Sequence, residues 1–169
     1  IMVPLVGSLE EFLNQKNIIT SAYKELSKKH KQKLSYKVGT MIEIPKACFS
    51  AGMIAKHADF FSFGTNDLTQ TTFGFSRDDV GSFFPGYFEK EILSFDPFES
   101  IDEKSVGELM STAVKRGRKN NPTLSLGICG EHGGEPKSIK FCNKIGLHYV
   151  SCSPFRVPVA RLAAAQAVL

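Results

Sequence analysis

The sequence predicts an α/β fold built on a parallel sheet. Short, nearly continuous apolar runs alternate with longer stretches of helical periodicity. The apolar runs read as strands buried on both faces, as parallel strands are. Polar and turn-forming residues gather at the C-terminal ends of these runs, the edge where such folds bind ligands. Five strand–helix units can be traced. Their spacing alone leaves two architectures open, an open doubly wound sheet and part of a closed barrel. A full (β/α)8 barrel needs eight strands and typically about 250 residues.

The elements follow in order. "IMVPLV" (1–6) is the first predicted strand. Ser8 is a helix cap, with Glu10 and Glu11 in the first turn where the helix dipole favours negative charge. A loose apolar stripe from Leu9 to Leu26 continues that helix. "SYKVGTMIEI" (35–44) is the second strand, and Pro45 helps to end it. Lys46 to Ala58 forms a helix with Ala47, Ala51, Ile54 and Ala55 facing inward. "DFFSFG" (59–64) is the third strand. Residues 74–101, rich in glycine, proline and phenylalanine, read as a long covering loop with short helical pieces. Asp102 to Asn120 is a helix stopped before Pro122. "TLSLGIC" (123–129) is the fourth strand. Pro136 opens a helix through Ile145, with Gly146 as its stop. "HYVSCS" (148–153) is the fifth strand, and Pro158 opens the last helix.

Composition narrows the function classes. Of the 169 residues, 42% are hydrophobic and 22% charged, the balance of a soluble globular domain. No apolar run reaches transmembrane length, and the opening residues do not read as a secretory leader. Ile1 stands inside an apolar run without an initiator Met, as expected for a piece of a longer protein. The four cysteines, Cys48, Cys129, Cys142 and Cys152, fit neither C-x-x-C nor zinc spacing. Reduced thiols in a cytoplasmic setting are therefore expected. The net charge of +4 is concentrated in "KELSKKHKQK" (24–33). That run reads as the solvated end of an amphipathic helix, because no aromatics or nucleic-acid module accompany it. Neither nucleic acid nor membrane is an expected partner.

Three strand ends carry candidate chemistry. Glu43 ends the second apolar strand, where an unpartnered carboxylate is costly. "GTND" (64–67) follows the third strand and could cap a helix starting near Leu68, a role compatible with anion binding. If those strands are neighbours, their axes lie about 4.8 Å apart. Glu43 and Asp67 could then share one hard cation such as Mg²⁺, which takes one or two carboxylates and keeps positions for substrate oxygens. Cys129 ends the fourth strand on the same edge. Local sequence leaves it open between a packing residue and a thiol that exchanges protons, with Glu131 and His132 placed to tune it. His30, His57 and His148 read as structural. No P-loop, G-x-G-x-x-G or G-x-S-x-G motif is present.

"DFFSFGTNDLTQTTFGFSR" (59–77) resembles the signature of phosphoenolpyruvate (PEP)-utilising enzymes, which include pyruvate phosphate dikinase, PEP synthase and enzyme I of the sugar phosphotransferase system. "GTMIEIP", "GICGEHGGEP" and "YVSCSPFRVPVARLAAAQ" strengthen the resemblance, and the cysteine loop resembles the dikinase version. The match spans the chain apart from the variable helix around 14–33. It implies the C-terminal portion of a PEP/pyruvate-binding (β/α)8 TIM-type barrel, about five βα units from strand four to strand eight.

The resemblance also implies a reaction and its participants. ATP, phosphate and pyruvate interconvert with AMP, diphosphate and PEP through a phosphohistidine. Glu43 and Asp67 would bind Mg²⁺; Gly64, Thr65, Asn66 and Asp67 would contact substrate; Cys129 would be the general acid/base at the methyl carbon of pyruvate. The phosphohistidine domain, the ATP-grasp domain and the first barrel strands, with their phosphate-binding arginines, would lie outside these residues. The full-length enzyme would be a homodimer, and this piece alone is expected to be inactive. The alternatives are a PEP synthase, enzyme I, or a non-catalytic half-barrel that serves assembly.

Overall fold

A computed structural model describes residues 1–169. Five strands form one sheet: β1 (Met2–Val3), β2 (Gly39–Ile42), β3 (Phe60–Gly64), β4 (Ser125–Cys129) and β5 (Tyr149–Val150). They lie side by side in chain order, and every pairing is parallel. A doubly wound sheet reverses its strand order at a switch point. This sheet never does.

Residues alternate between the two faces of the sheet, as the pleat requires. Thr40, Phe61 and Leu126 share one row, and Ile42, Phe63, Ile128 and Val150 share another. These rows join one core with Phe12 of α1 (Leu9–His30), Ala51 and Ile54 of α2 (Pro45–Ile54), and Met110 and Ala113 of α5 (Val106–Asn120). Phe141 and Cys142 of α6 (Pro136–Lys144) complete it. Core-forming helices thus cover one face of a sheet wound in a single direction. That is an arc of a (β/α)8-type barrel, and it decides between the two architectures the spacing left open. The other face carries Met41, Glu43, Ser62, Gly64, Gly127 and Cys129.

Strand boundaries are shorter than the apolar runs suggest. β1 stops at Val3 because Pro4 has no N–H to donate and Leu5 turns to a left-handed φ of 53°. Residues 35–38 precede the ladder, and there the Tyr36 ring packs against Tyr23 of α1 at 4.6 Å. β5 spans two residues, and beyond them His148 N and Ser151 N still donate to Leu126 O and Ile128 O.

Helix starts follow their local chemistry. Ser8 caps α1 in a full capping box with Glu11, and the basic segment ending at His30 is exposed. α2 ends at Ile54 rather than Ala58. α5 begins at Val106 because Asp102 first closes a turn by accepting from the backbone N–H of Ser105 at 3.1 Å. Glu135 caps α6 through the N–H groups of Lys137 and Ser138. α7 covers Val157–Gln166, with Pro158 in its first turn.

The segment 74–101 contains a regular helix, α4 (Val80–Glu89), despite Gly81, Pro85 and Gly86. Tertiary packing overrides the helix breakers. Phe83 and Tyr87 meet Phe75 at 5.1 and 6.1 Å, while Phe84 stacks on Phe98 at 6.4 Å. Such aromatic pairs add about 0.5–1.5 kcal/mol each beyond their buried area.

Candidate active site

The site lies on the face of the sheet turned away from the core helices, at the C-terminal ends of β2, β3 and β4. Phe63 pairs with Ile42 and Ile128, and Gly64 pairs with Cys129. Glu43, Gly64 and Cys129 therefore occupy one transverse row. Two strand spacings separate the outer members, roughly 10 Å.

Gly64 lets the row close. A Cβ at this position would stand 2.6 Å from Glu43 Oε2 and 2.8 Å from Glu43 Cβ. No larger residue fits without moving the carboxylate. Gly64 also precedes α3 (Thr65–Phe73), so the helix starts immediately at the strand end and not near Leu68. Asp67 thus sits in the first turn and beside Glu43, not in a preceding cap.

Glu43 is 2% exposed. Its Oε1 accepts the backbone N–H of Leu5 at 2.5 Å. Burial pushes its carboxyl above the usual carboxylate range; the Leu5 N–H opposes the rise, and the neighbouring Asp67 adds to it. The left-handed turn at Leu5 aims that amide. Sequence reading assigned this stretch to a strand and missed its role; Pro4 within an apolar run was the available signal.

The donor set suits a hard cation. Two carboxylates face one another, and the one ion pair of the molecule, Lys144–Glu103, involves neither. Asn66 Oδ1, next to Asp67, is buried without a hydrogen-bond partner. The site is a pair of carboxylates rather than a cluster of three or more metal-ligating side chains. Mg²⁺ characteristically binds through one or two carboxylates and retains other oxygen ligands.

Cys129 is half-buried, and its thiol donates to Phe63 O at 3.5 Å. Cys48 and Cys142 show what packing cysteines look like here: both are in the core, and burial pushes their thiols up to about 12. After Cys129 the chain turns through Gly130, whose φ of 97° suits glycine.

His132 does not reach the thiol. It is fully buried, with Nδ1 2.7 Å from Thr65 Oγ1 and Nε2 2.9 Å from Pro97 O. A carbonyl only accepts, so Nε2 carries the proton and Nδ1 accepts from the Thr65 hydroxyl. Burial holds His132 below the ordinary histidine range. The Thr65 side chain is thereby committed to His132. Gln70 was also unremarked in the sequence. Its amide Nε2 donates to Asp67 Oδ1 at 3.2 Å, an i,i+3 contact along α3.

Two clefts border the loop that follows β4. One of about 420 Å³ is lined by Arg77, Asp96, Phe98, Glu131 and Arg156, and one of about 170 Å³ opens between Gly130, Gly134 and Ser151. No helix is long and apolar enough to cross a membrane.

Residues 1–169 match the family described as PEP-utilising enzyme, PEP-binding domain. The chain is 59% identical over its whole length to pyruvate, phosphate dikinase 2 of Oryza sativa subsp. japonica, covering 19% of that protein. It is 55% identical to pyruvate, phosphate dikinase of Clostridium symbiosum, again over all of this chain and 19% of the relative. Chloroplastic pyruvate, phosphate dikinase 1 of Arabidopsis thaliana is 58% identical over all of this chain and 18% of its own length. The chain thus spans about a fifth of the relatives it matches. With a parallel barrel arc that places Glu43, Gly64, Asp67 and Cys129 on one edge, it belongs to the PEP-utilising enzymes and corresponds to their PEP-binding domain.

Proposed function

We propose that this domain binds pyruvate and PEP and performs the enolate chemistry of a pyruvate phosphate dikinase. The overall reaction interconverts ATP, phosphate and pyruvate with AMP, diphosphate and PEP. The observation that carries the reading is the row Glu43–Gly64–Cys129 with Asp67 beside it. Identities of 55–59% to dikinases favour that reaction over those of PEP synthase or enzyme I.

Glu43 and Asp67 would hold Mg²⁺, which supplies Lewis-acid compensation for negative charge developing on a substrate oxygen. Gly64 and the first turn of α3 present backbone N–H groups to a carboxylate or phosphate. Asn66 offers its unpartnered oxygen. The Cys129 thiol, which donates to Phe63 O, can deliver its proton to the methylene carbon of the enolate. In the reverse direction the thiolate takes a proton from the methyl group of pyruvate. The enolate oxygen then attacks the phosphoryl group of a phosphohistidine on another domain of the same longer chain, and the P–N bond breaks. That chain would work as a homodimer. Its reaction consumes ATP elsewhere, so the 169 residues alone would not turn over. Four free cysteines suit a reducing compartment such as the cytoplasm.

The test is Cys129→Ala in the intact polypeptide. Exchange of the pyruvate methyl protons with solvent should fall by about 10²–10⁴-fold, while phosphorylation of the histidine by ATP persists. Unchanged exchange would remove Cys129 from the proton-transfer step.

A further inference from the structure

We propose that Gln70 is a positioning residue for the Asp67 carboxylate, and that one side-chain amide holds both this carboxylate and the loop that follows α3. The inference rests on the reading that Glu43 and Asp67 hold a divalent cation.

The amide has two partners of opposite kind. Gln70 Oε1 accepts the backbone N–H of Arg77 at 2.7 Å. A backbone N–H can only donate, so the oxygen must face Arg77 and the NH₂ must face Asp67. Nε2 then donates to Asp67 Oδ1 at 3.2 Å. This engages one carboxylate oxygen and leaves Oδ2 on the side of Glu43. A carboxylate on a helix surface otherwise turns about its terminal torsion with little preference. With Oδ1 tethered, the remaining oxygen keeps one direction relative to Glu43.

The backbone of Gln70 serves the same loop. Its carbonyl accepts the N–H of Gly74, which caps α3 in a left-handed turn, and that of Phe75 at 3.1 Å. Residues 74–77 therefore hang from Gln70 through three hydrogen bonds. A carboxylate that ligates a metal is commonly held in this way by a second hydrogen-bonding group, and loss of such a group typically costs about 10–100-fold in metal affinity.

The experiment titrates the intact polypeptide with Mn²⁺ as a spectroscopic probe and compares three variants. Asp67→Asn tests the site itself: if it binds Mn²⁺ as the parent does, the underlying cation reading fails and the inference with it. Gln70→Met keeps the length of the side chain but removes both amide contacts. Mn²⁺ affinity should fall by about 10–100-fold. Gly74→Ala strains the loop at a φ of 68° without touching the amide. It should lower thermal stability and leave Mn²⁺ affinity within about twofold of the parent, as expected if the metal-ligand tether and not loop geometry controls affinity. If Asp67→Asn abolishes binding while Gln70→Met stays within about twofold of the parent, the positioning role is overturned and the metal site stands. Equal loss in Gln70→Met and Gly74→Ala would also overturn it, since loop geometry would then account for the effect.

Discussion

The two faces of this sheet are built from alternate residues of the same strands, yet they have opposite physical characters. On the helix side Ile42, Phe61, Phe63, Leu126 and Ile128 are fully buried in one apolar core. One residue along, on the other face, stand Glu43, Ser62, Gly64, Gly127 and Cys129. The first set stabilises the arc. The second carries a carboxylate whose burial is unfavourable, a glycine forced by close approach and a thiol with only a weak partner. Stability and chemistry are thus separated by the pleat alone, without a change of element. Residues that cost stability can be kept because their immediate neighbours supply it.

Three substitutions probe that separation, from the largest expected effect to the smallest. Phe63→Ala removes a fully buried ring from the packed face and should destabilise the domain by about 3–5 kcal/mol in denaturant unfolding. A loss under about 1 kcal/mol would mean that the core helices do not depend on this row.

His132 tests the connection between the faces. Its folded-state proton affinity is depressed by burial, so below a pH of about 6.5 the unfolded chain binds a proton that the folded chain refuses. Stability should therefore fall as pH drops from about 6.5 toward the depressed folded value, by at most about 1.4 kcal/mol per pH unit from this group. His132→Gln supplies an amide in place of the ring and should flatten that slope; an unchanged slope would assign it to other groups.

Glu43→Gln should act in the opposite direction. The folded carboxyl is raised, so its contribution is present below the unfolded value near 4.5 and is lost as pH rises through the raised one. Removing the charge should stabilise the metal-free domain near neutrality by roughly 1 kcal/mol, about 2–4 °C in Tm. Destabilisation would show that the carboxylate contributes to the fold as well as to the site.

Much of this was legible in the sequence. The α/β class, the five strands and the shared edge of Glu43, Asp67 and Cys129 follow from apolar runs that end in polar turns. Strand adjacency, on which the carboxylate pair depended, is observed between β2 and β3. What stayed hidden were contacts made across the chain by groups that look ordinary in sequence. The Leu5 amide reaches Glu43 from 38 residues away. α4 persists through Pro85 because phenylalanines outside the helix pack against it. His132, within the cysteine loop, bonds Thr65 and Pro97 and not the thiol.

The His132 contacts also bear on when the site can form. Its two partners lie 67 and 35 residues earlier in the chain. During synthesis at about 5–20 residues per second, the Gly64–Asp67 turn waits roughly 3–13 s for the imidazole that braces it. The nascent turn has its strand and its helix but not its strut. Loop closure over that distance comes after local helix formation, so the brace on the turn arrives later than the strand and helix that flank it. A partly made chain would hold the residues for its chemistry without holding them in place.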